Sequence, residues 1–275
     1  MEVSHALTER TVLAGRYRIE RHLAVGDVSF IYLARDMKPA LPARVLVLKQ
    51  YPASSTDLLQ HGMLVRSFEH EADILATSSR LSIPQFFDYF TEGDWTYIAM
   101  QFVDGTDLKS LLEDAKGFLP EEQVAPWAIG ICDSLQYIHV HKPHPILHRD
   151  VKPEHVILDP AGRTHLVGFA IACRYQPGQK GTALGTSAYA APEQYEGTAG
   201  PKSDIDALGA TLYHLLTGQP PSPTLPVSGS EVAARMVNPV VSMSMEAIIS
   251  KAMRLNPDDR FESAKKMKAA LIGLG

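Results

Sequence analysis

Cysteine is scarce in this chain: Cys132 and Cys173 are the only two, and neither belongs to a CxxC pair. That argues against a disulfide framework and a thiolate zinc site, and a reduced, cytosolic setting is expected. Long hydrophobic runs are missing too. No stretch reaches 18 apolar residues, so no segment of this chain is expected to span a membrane. The first residues, Met1 to Thr11, are polar and charged, so no signal peptide is expected, while an anchor beyond Gly275 stays open. There is no surplus of basic residues: 26 Lys and Arg face 31 Asp and Glu, a net charge of −5. A nucleic-acid partner would ask for the opposite balance. Internal repeats and low-complexity tracts are absent as well. What is present is an apolar fraction of 45%, enough for a substantial core in 275 residues.

The first hundred residues read mostly as strands. Tyr17–Ala34 alternates and is broken by Gly26-Asp27, which predicts a hairpin. Arg44–Tyr51, Phe86–Phe90 and Thr96–Phe102 predict further strands, the last two joined by a turn at Glu92-Gly93-Asp94. Leu58–Ser78 has helical periodicity. The remainder is mostly helical, with helices expected at Asp107–Asp114, Glu121–His141, Ser203–Thr217, Met245–Arg254 and Ser263–Leu271. Short strands are expected at Val156–Leu158 and Thr164–Val167, and a mobile loop at Arg174–Gly185. A β-rich half followed by an α-rich half predicts an α+β protein with its join near Gln101–Gly105.

Several ordered motifs carry a family resemblance. His148-Arg149-Asp150-Val151-Lys152-Pro153 resembles the catalytic loop of protein kinases. Gly185-Thr186 followed by Tyr189-Ala190-Ala191-Pro192-Glu193 is similar to the end of a kinase activation segment. Ser203-Asp204-Ile205 and Asn256-Pro257-Asp258-Asp259-Arg260 resemble the elements that follow, the arginine being the partner of the Ala-Pro-Glu glutamate. The likeness runs from about Tyr17 to Leu271 and is closest to the bacterial, eukaryotic-like Ser/Thr kinases, the Gly15-Arg16-Tyr17 start included. It implies a bilobal fold: an N-terminal extension over 1–16, a β-rich lobe with one main helix over 17–102 and a helical lobe over 103–275.

The resemblance also implies roles for individual residues. Phosphoryl transfer depends on positioning and charge neutralisation. Lys49 falls at the lysine that contacts the α- and β-phosphates, and Glu71, 22 residues on, at its ion-pair partner. Two ordinary surface charges are the bland alternative. Asp150 matches the base that takes the substrate hydroxyl's proton, Lys152 the lysine facing the transferred group, and Thr186 the residue bridging the two. Ile31 and Ile157 match the pair that sandwiches adenine, Met100 the back of that pocket, and Phe102 and Val103 the hinge. Leu75, Phe86, His148 and Phe169 match an apolar spine between lobes. Arg149 is retained, so a phosphate on Thr182, Thr186 or Ser187 would have a docking residue, although an ordinary solvated loop is the simpler reading of those hydroxyls.

The metal side departs from the pattern. The family's Mg²⁺-binding asparagine, five residues after the catalytic aspartate, is His155 here, and the Asp-Phe-Gly motif reads Gly168-Phe169-Ala170. Mg²⁺ prefers oxygen ligands in octahedral geometry; glycine offers no side chain, and imidazole suits softer metals. The ions contribute several kcal/mol to charge neutralisation, and each ~1.4 kcal/mol is about tenfold in rate. The glycine-rich loop is eroded too. In Leu23-Ala24-Val25-Gly26-Asp27-Val28-Ser29 only Gly26 survives, Ala24 and Ser29 add a Cβ, and Asp27 brings a negative charge towards the phosphates. Val47 stands for a smaller alanine over the adenine.

His139, His141, His144, His148, His155 and His165 raise the alternative of a zinc site, but without a cysteine or a fixed spacing they read as loop and core histidines. Cys173 reads as a packed small hydrophobe. The leading expectation is a pseudokinase: a regulatory or scaffold module for a protein partner, an active kinase or a second copy of itself. ATP is expected to bind weakly without metal or not at all, and Mg²⁺ is not expected. The alternatives are an active Ser/Thr kinase with atypical metal use, since Lys49, Glu71, Asp150, Lys152 and Thr186 are all present, and a purely structural interaction domain.

Overall fold

The computed structural model describes residues 6–26, 29–38, 44–53, 71–77, 80–182, 185–186, 188–221 and 233–274. The chain divides into two compact units, Met1–Val103 and Asp104–Gly275.

The first unit is built on a six-stranded antiparallel sheet. Its strands are β1 (Val12–Leu13), β2 (Tyr17–Val25), β3 (Phe30–Asp36), β4 (Arg44–Pro52), β5 (Phe86–Glu92) and β6 (Trp95–Gln101), in the order β1-β2-β3-β4-β6-β5. Period-two alternation sends Tyr17, Ile19, Phe30, Tyr32, Ala34, Leu46, Leu48, Tyr97 and Ala99 into one core. Within the N-terminal extension, Leu13 joins that core, with Ala6 and Leu7 packed against it. Gln50 is the polar exception. It is fully buried, accepting from the Tyr32 hydroxyl at 2.8 Å and donating to the Tyr97 oxygen at 3.3 Å, as a buried amide must. The Gly15-Arg16-Tyr17 start has a structural use: Arg16 forks onto both oxygens of Asp36 (2.8 and 2.7 Å) and reaches Asp88, which also accepts from the Tyr17 hydroxyl at 2.7 Å. The opposite face of β4 presents Lys49 and Tyr51 to a helix, α1, described over residues 71–77. The rest of the expected helix over 58–78 lies outside the described residues, as do Asp27 and Ser187.

The second unit is helical. Its helices are α2 (Leu108–Ala115), α3 (Glu121–His139), α4 (Pro192–Tyr195), α5 (Pro201–Thr217), α6 (Ala234–Val237), α7 (Met243–Ala252) and α8 (Ala264–Ile272). Each expected helix is present with ends shifted by one or two residues, where caps decide: Asp107 accepts from the Ser110 amide, Ser242 from Met245 and Ser263 from Lys266. Helix α5 is buried along nearly its whole length, starts on Pro201 and stops at Gly218 with φ +74°. A Cβ on Gly209 would meet Met253 Cγ at 2.7 Å and Ala252 Cβ at 2.8 Å, so glycine is what lets α5 lie this close to the end of α7. The unit's strands are β7 (Thr106–Asp107), β8 (Ile146–Leu147), β9 (Val156–Leu158), β10 (Thr164–Leu166) and β11 (Cys173–Arg174), in a β10-β9-β7 sheet and a β11-β8 pair. Among its described residues, the segment read as a loop, Arg174–Gly185, is without helix and holds only the end of β11. β1, β7, β8 and β11 carry no legible pattern because two residues are too few to show a period.

Candidate functional site

In the second unit the site is a loop, 148–155, hung from one carboxylate. Asp204, fully buried on α5, accepts from the His148 amide (2.9 Å), the Arg149 amide (2.7 Å) and His139 Nε2 (2.8 Å). Burial works against its charge, and these donors overcome it, holding the carboxyl below its ordinary value. Arg149 takes the left-handed region at φ +64°, costly for a residue with a Cβ and sustained by those bonds. Its side chain is engaged by backbone: Nε donates to the Ile171 carbonyl (2.7 Å) and Nη1 to that of Thr182 (3.1 Å). His148 bonds the Val167 carbonyl at 2.9 Å and meets Phe169 edge-on, ring centroids 4.7 Å apart.

This hanging loop brings Asp150, Lys152 and Thr186 together. The Thr186 hydroxyl donates to Asp150 Oδ1 at 2.6 Å, Lys152 Nζ donates to Thr186 Oγ1 at 3.1 Å, and Nζ also lies 3.1 Å from Asp150 Oδ2. Burial raises the proton affinity of Asp150, but His155, the Thr186 hydroxyl and Lys152 together hold the carboxyl below its ordinary value. An ionised carboxylate with one oxygen tied to a hydroxyl and the other beside an ammonium can receive a proton from an incoming alcohol.

His155 and Gly168 are locked together. His155 Nδ1 donates to the Asp150 carbonyl at 2.8 Å and lies 3.3 Å from Asp150 Oδ2. A Cβ on Gly168 would sit 2.5 Å from Cγ and Nδ1 of that ring and 2.6 Å from Cδ2, and Gly168 has φ +82°. The imidazole therefore fills the space a side chain at 168 would use. Burial pushes His155 down to about 4, against the pull of Asp150, so the ring is neutral at pH 7. These two residues do not fit Mg²⁺: one has no side chain, and the other presents a neutral ring where a hard cation wants oxygens. No group of three or more His, Cys, Asp or Glu is placed to hold a metal among the described residues. Of the other histidines in the sequence cluster, His139 bonds Asp204 and His165 bonds Asp159 at 3.0 Å.

In the first unit Lys49 Nζ donates to both oxygens of Glu71, at 2.9 and 3.0 Å, with both residues buried. The Tyr51 hydroxyl donates to Glu71 Oε2 at 2.6 Å. Motif reading passed over Tyr51; its signal is period two, which places it on the face of Lys49. Val47 pairs in register with Met100 and with Leu33, and Ile31 with Lys49. At Gly26 the amide donates to the Ser29 carbonyl at 2.8 Å, and a Cβ would lie 2.8 Å from Ser29 Oγ, which would have to shift. Phe102 is half-buried and Val103 buried, just past β6. In the second unit Ile157 on β9 pairs with His165 and Asp107.

Comparison with known proteins bears on the same residues. The family described as protein kinase domain matches residues 17–271. Serine/threonine-protein kinase PknB of Mycobacterium leprae is 30% identical over 278 residues, covering 94% of this chain and 43% of that protein. The probable serine/threonine-protein kinase SCO3848 of Streptomyces coelicolor is 31% identical over 274 residues, covering 93% of this chain and 39% of its own length. The chain thus spans less than half the length of these curated relatives. The crystal structure of the Mycobacterium tuberculosis PknI kinase domain is similar at a TM-score of 0.76 and 27% identity, over 98% of this chain and all of that one. Motifs, architecture and relatives agree: the chain belongs to the protein kinase domain family, of the eukaryotic-like bacterial Ser/Thr type.

Proposed function

We propose that this kinase-fold chain is a pseudokinase, a regulatory or scaffold module in which Mg²⁺-dependent phosphoryl transfer is lost or severely impaired. One observation carries the reading: the His155 imidazole fills the place of a side chain at Gly168, and neither position offers an oxygen to a metal. ATP would be held weakly by Lys49 and the hinge around Phe102 and Val103, without metal, or not held at all. The partner would be a protein, either an active kinase or a second copy of this chain. The acidic balance disfavours nucleic acid, and among the described residues no helix is long and apolar enough to cross a membrane. Free thiols at Cys132 and Cys173 are compatible with the cytoplasm.

A second reading has its own support. The Asp150–Lys152–Thr186 triangle and the Lys49–Glu71 pair have geometry suited to an active Ser/Thr kinase with atypical metal use, and the curated relatives are named as kinases. Thermal melts with and without ATP, each in Mg²⁺ and in EDTA, separate the readings. Ligand at a hundred times its dissociation constant adds about 2.7 kcal/mol of stability. A shift equal or larger in EDTA, or no shift at all, supports the pseudokinase. A shift seen only with Mg²⁺, together with phosphate transfer abolished by Asp150→Ala, overturns it.

A further inference from the structure

Lys49 and Glu71 do not stand alone in their layer of the first unit. Strand β4 places Tyr51 two residues beyond Lys49 and therefore on the same face. Ser29 lies one residue before the Phe30–Gln50 pair of the β3–β4 register, and so beside Tyr51. All four side chains are withdrawn from solvent: Ser29 is 4% exposed, Lys49 8%, Tyr51 3% and Glu71 2%. The Tyr51 hydroxyl donates to Glu71 Oε2 at 2.6 Å, and the Glu71 carboxylate receives Lys49 from the other side. Lys49 Nζ also lies 5.2 Å from the centre of the Tyr51 ring.

A buried carboxylate is stable only when its lone pairs are met. Lys49 supplies one set of donors. Tyr51 supplies the other from a rigid ring whose position is set by the sheet and not by α1. The bond is charge-assisted and short, in the class that contributes about twice as much as a neutral one. Glu71 is thereby tied to β4 at two points, one of which is independent of Lys49.

We propose that Tyr51 is the positioning residue of the Lys49–Glu71 pair: its hydroxyl keeps Glu71 on Lys49 with no nucleotide present. This goes beyond the proposed function and holds whether or not the chain transfers phosphate. It means that assembly of the pair is a property of the fold and not a response to ligand.

The test is made on the whole chain without nucleotide. Acylation of Lys49 by an amine-reactive ester, followed by peptide mass spectrometry, reads how often the pair opens, and hydrogen exchange reads residues 71–77. In Tyr51→Phe, Lys49 is expected to label about five- to tenfold faster, and residues 71–77 to exchange faster by a similar factor, the effect of losing one charge-assisted bond. Tyr97→Phe is the control. It removes a hydroxyl bonded to Gln50 on the opposite face of β4, so it costs stability without touching the pair. Labelling unchanged in Tyr51→Phe, or raised equally by Tyr97→Phe, overturns the proposal.

Discussion

The ring of His155 stands where a side chain on Gly168 would have to go: the two positions cannot both be filled, because a Cβ at 168 lies 2.5 Å from the imidazole. The departures from the family's metal ligands are one packed unit and not two separate losses. Restoring an aspartate alone should therefore fail. Gly168→Asp is expected to destabilise by about 1–3 kcal/mol, as overpacked sites do, and to gain no response to Mg²⁺. Gly168→Asp combined with His155→Asn is expected to recover part of that stability and to add a Mg²⁺-dependent melting shift with ATP. Thermal melts across a Mg²⁺ titration check both, and a Mg²⁺ response in the single variant would sink the paired account.

Arg260 has no exposed side-chain surface and is shared by two carboxylates. Its Nη1 and Nη2 donate to Glu193 at 2.6 and 3.0 Å, and Nε lies 3.5 Å from Asp206. Arg260→Leu would leave the buried Asp206 and the partly buried Glu193 without their cation. A loss of about 3–5 kcal/mol is expected in urea unfolding. A loss below 1 kcal/mol would mean that Glu193 finds other donors.

Asp206 titrates upward, to about 7, because burial outweighs the pull of Arg260 and Glu193 adds repulsion. An acid whose folded value is raised binds more protons folded than unfolded, so this group's contribution declines as pH rises from about 4 to 7. Asp206→Asn should gain stability relative to the parent at pH 8 and lose that advantage by pH 5. Paired denaturation curves at the two values decide it, with an equal difference at both counting against the assignment.

His155 tilts the curve the other way. Burial lowers it to about 4, so between that value and the ordinary 6.5 the unfolded chain binds the extra proton and stability falls as pH falls. In His155→Gln the decline between pH 6.5 and 4 should be shallower than in the parent. Melting temperature measured against pH checks this, and identical slopes would exclude it.

Strands β2 to β6 of the first sheet and the long helices were legible because alternation and 3.6-residue periodicity survive over seven or more residues. The catalytic-type loop was legible because its residues are consecutive. The partners Lys49 and Glu71 could be named from motif order alone, but their burial and the third member, Tyr51, could not, since a tyrosine in a strand is usually just core. The collision between His155 and Gly168 was equally hidden: twelve residues of hairpin separate them, and only the fold places ring against backbone. Arg149 shows the limit in another way, since its guanidinium already holds two carbonyls that no motif announces.

Asp204 gives the loop's retained appearance a different meaning. Two of the three donors it accepts are backbone amides of His148 and Arg149, and their release would strand a charge at the centre of the second unit. The shape of the loop is thus a foundation of the helical unit before it is a tool for chemistry. A chain of this fold that gave up catalysis would still need that shape in order to fold, so the presence of Asp150, Lys152 and Thr186 on it does not by itself require phosphoryl transfer.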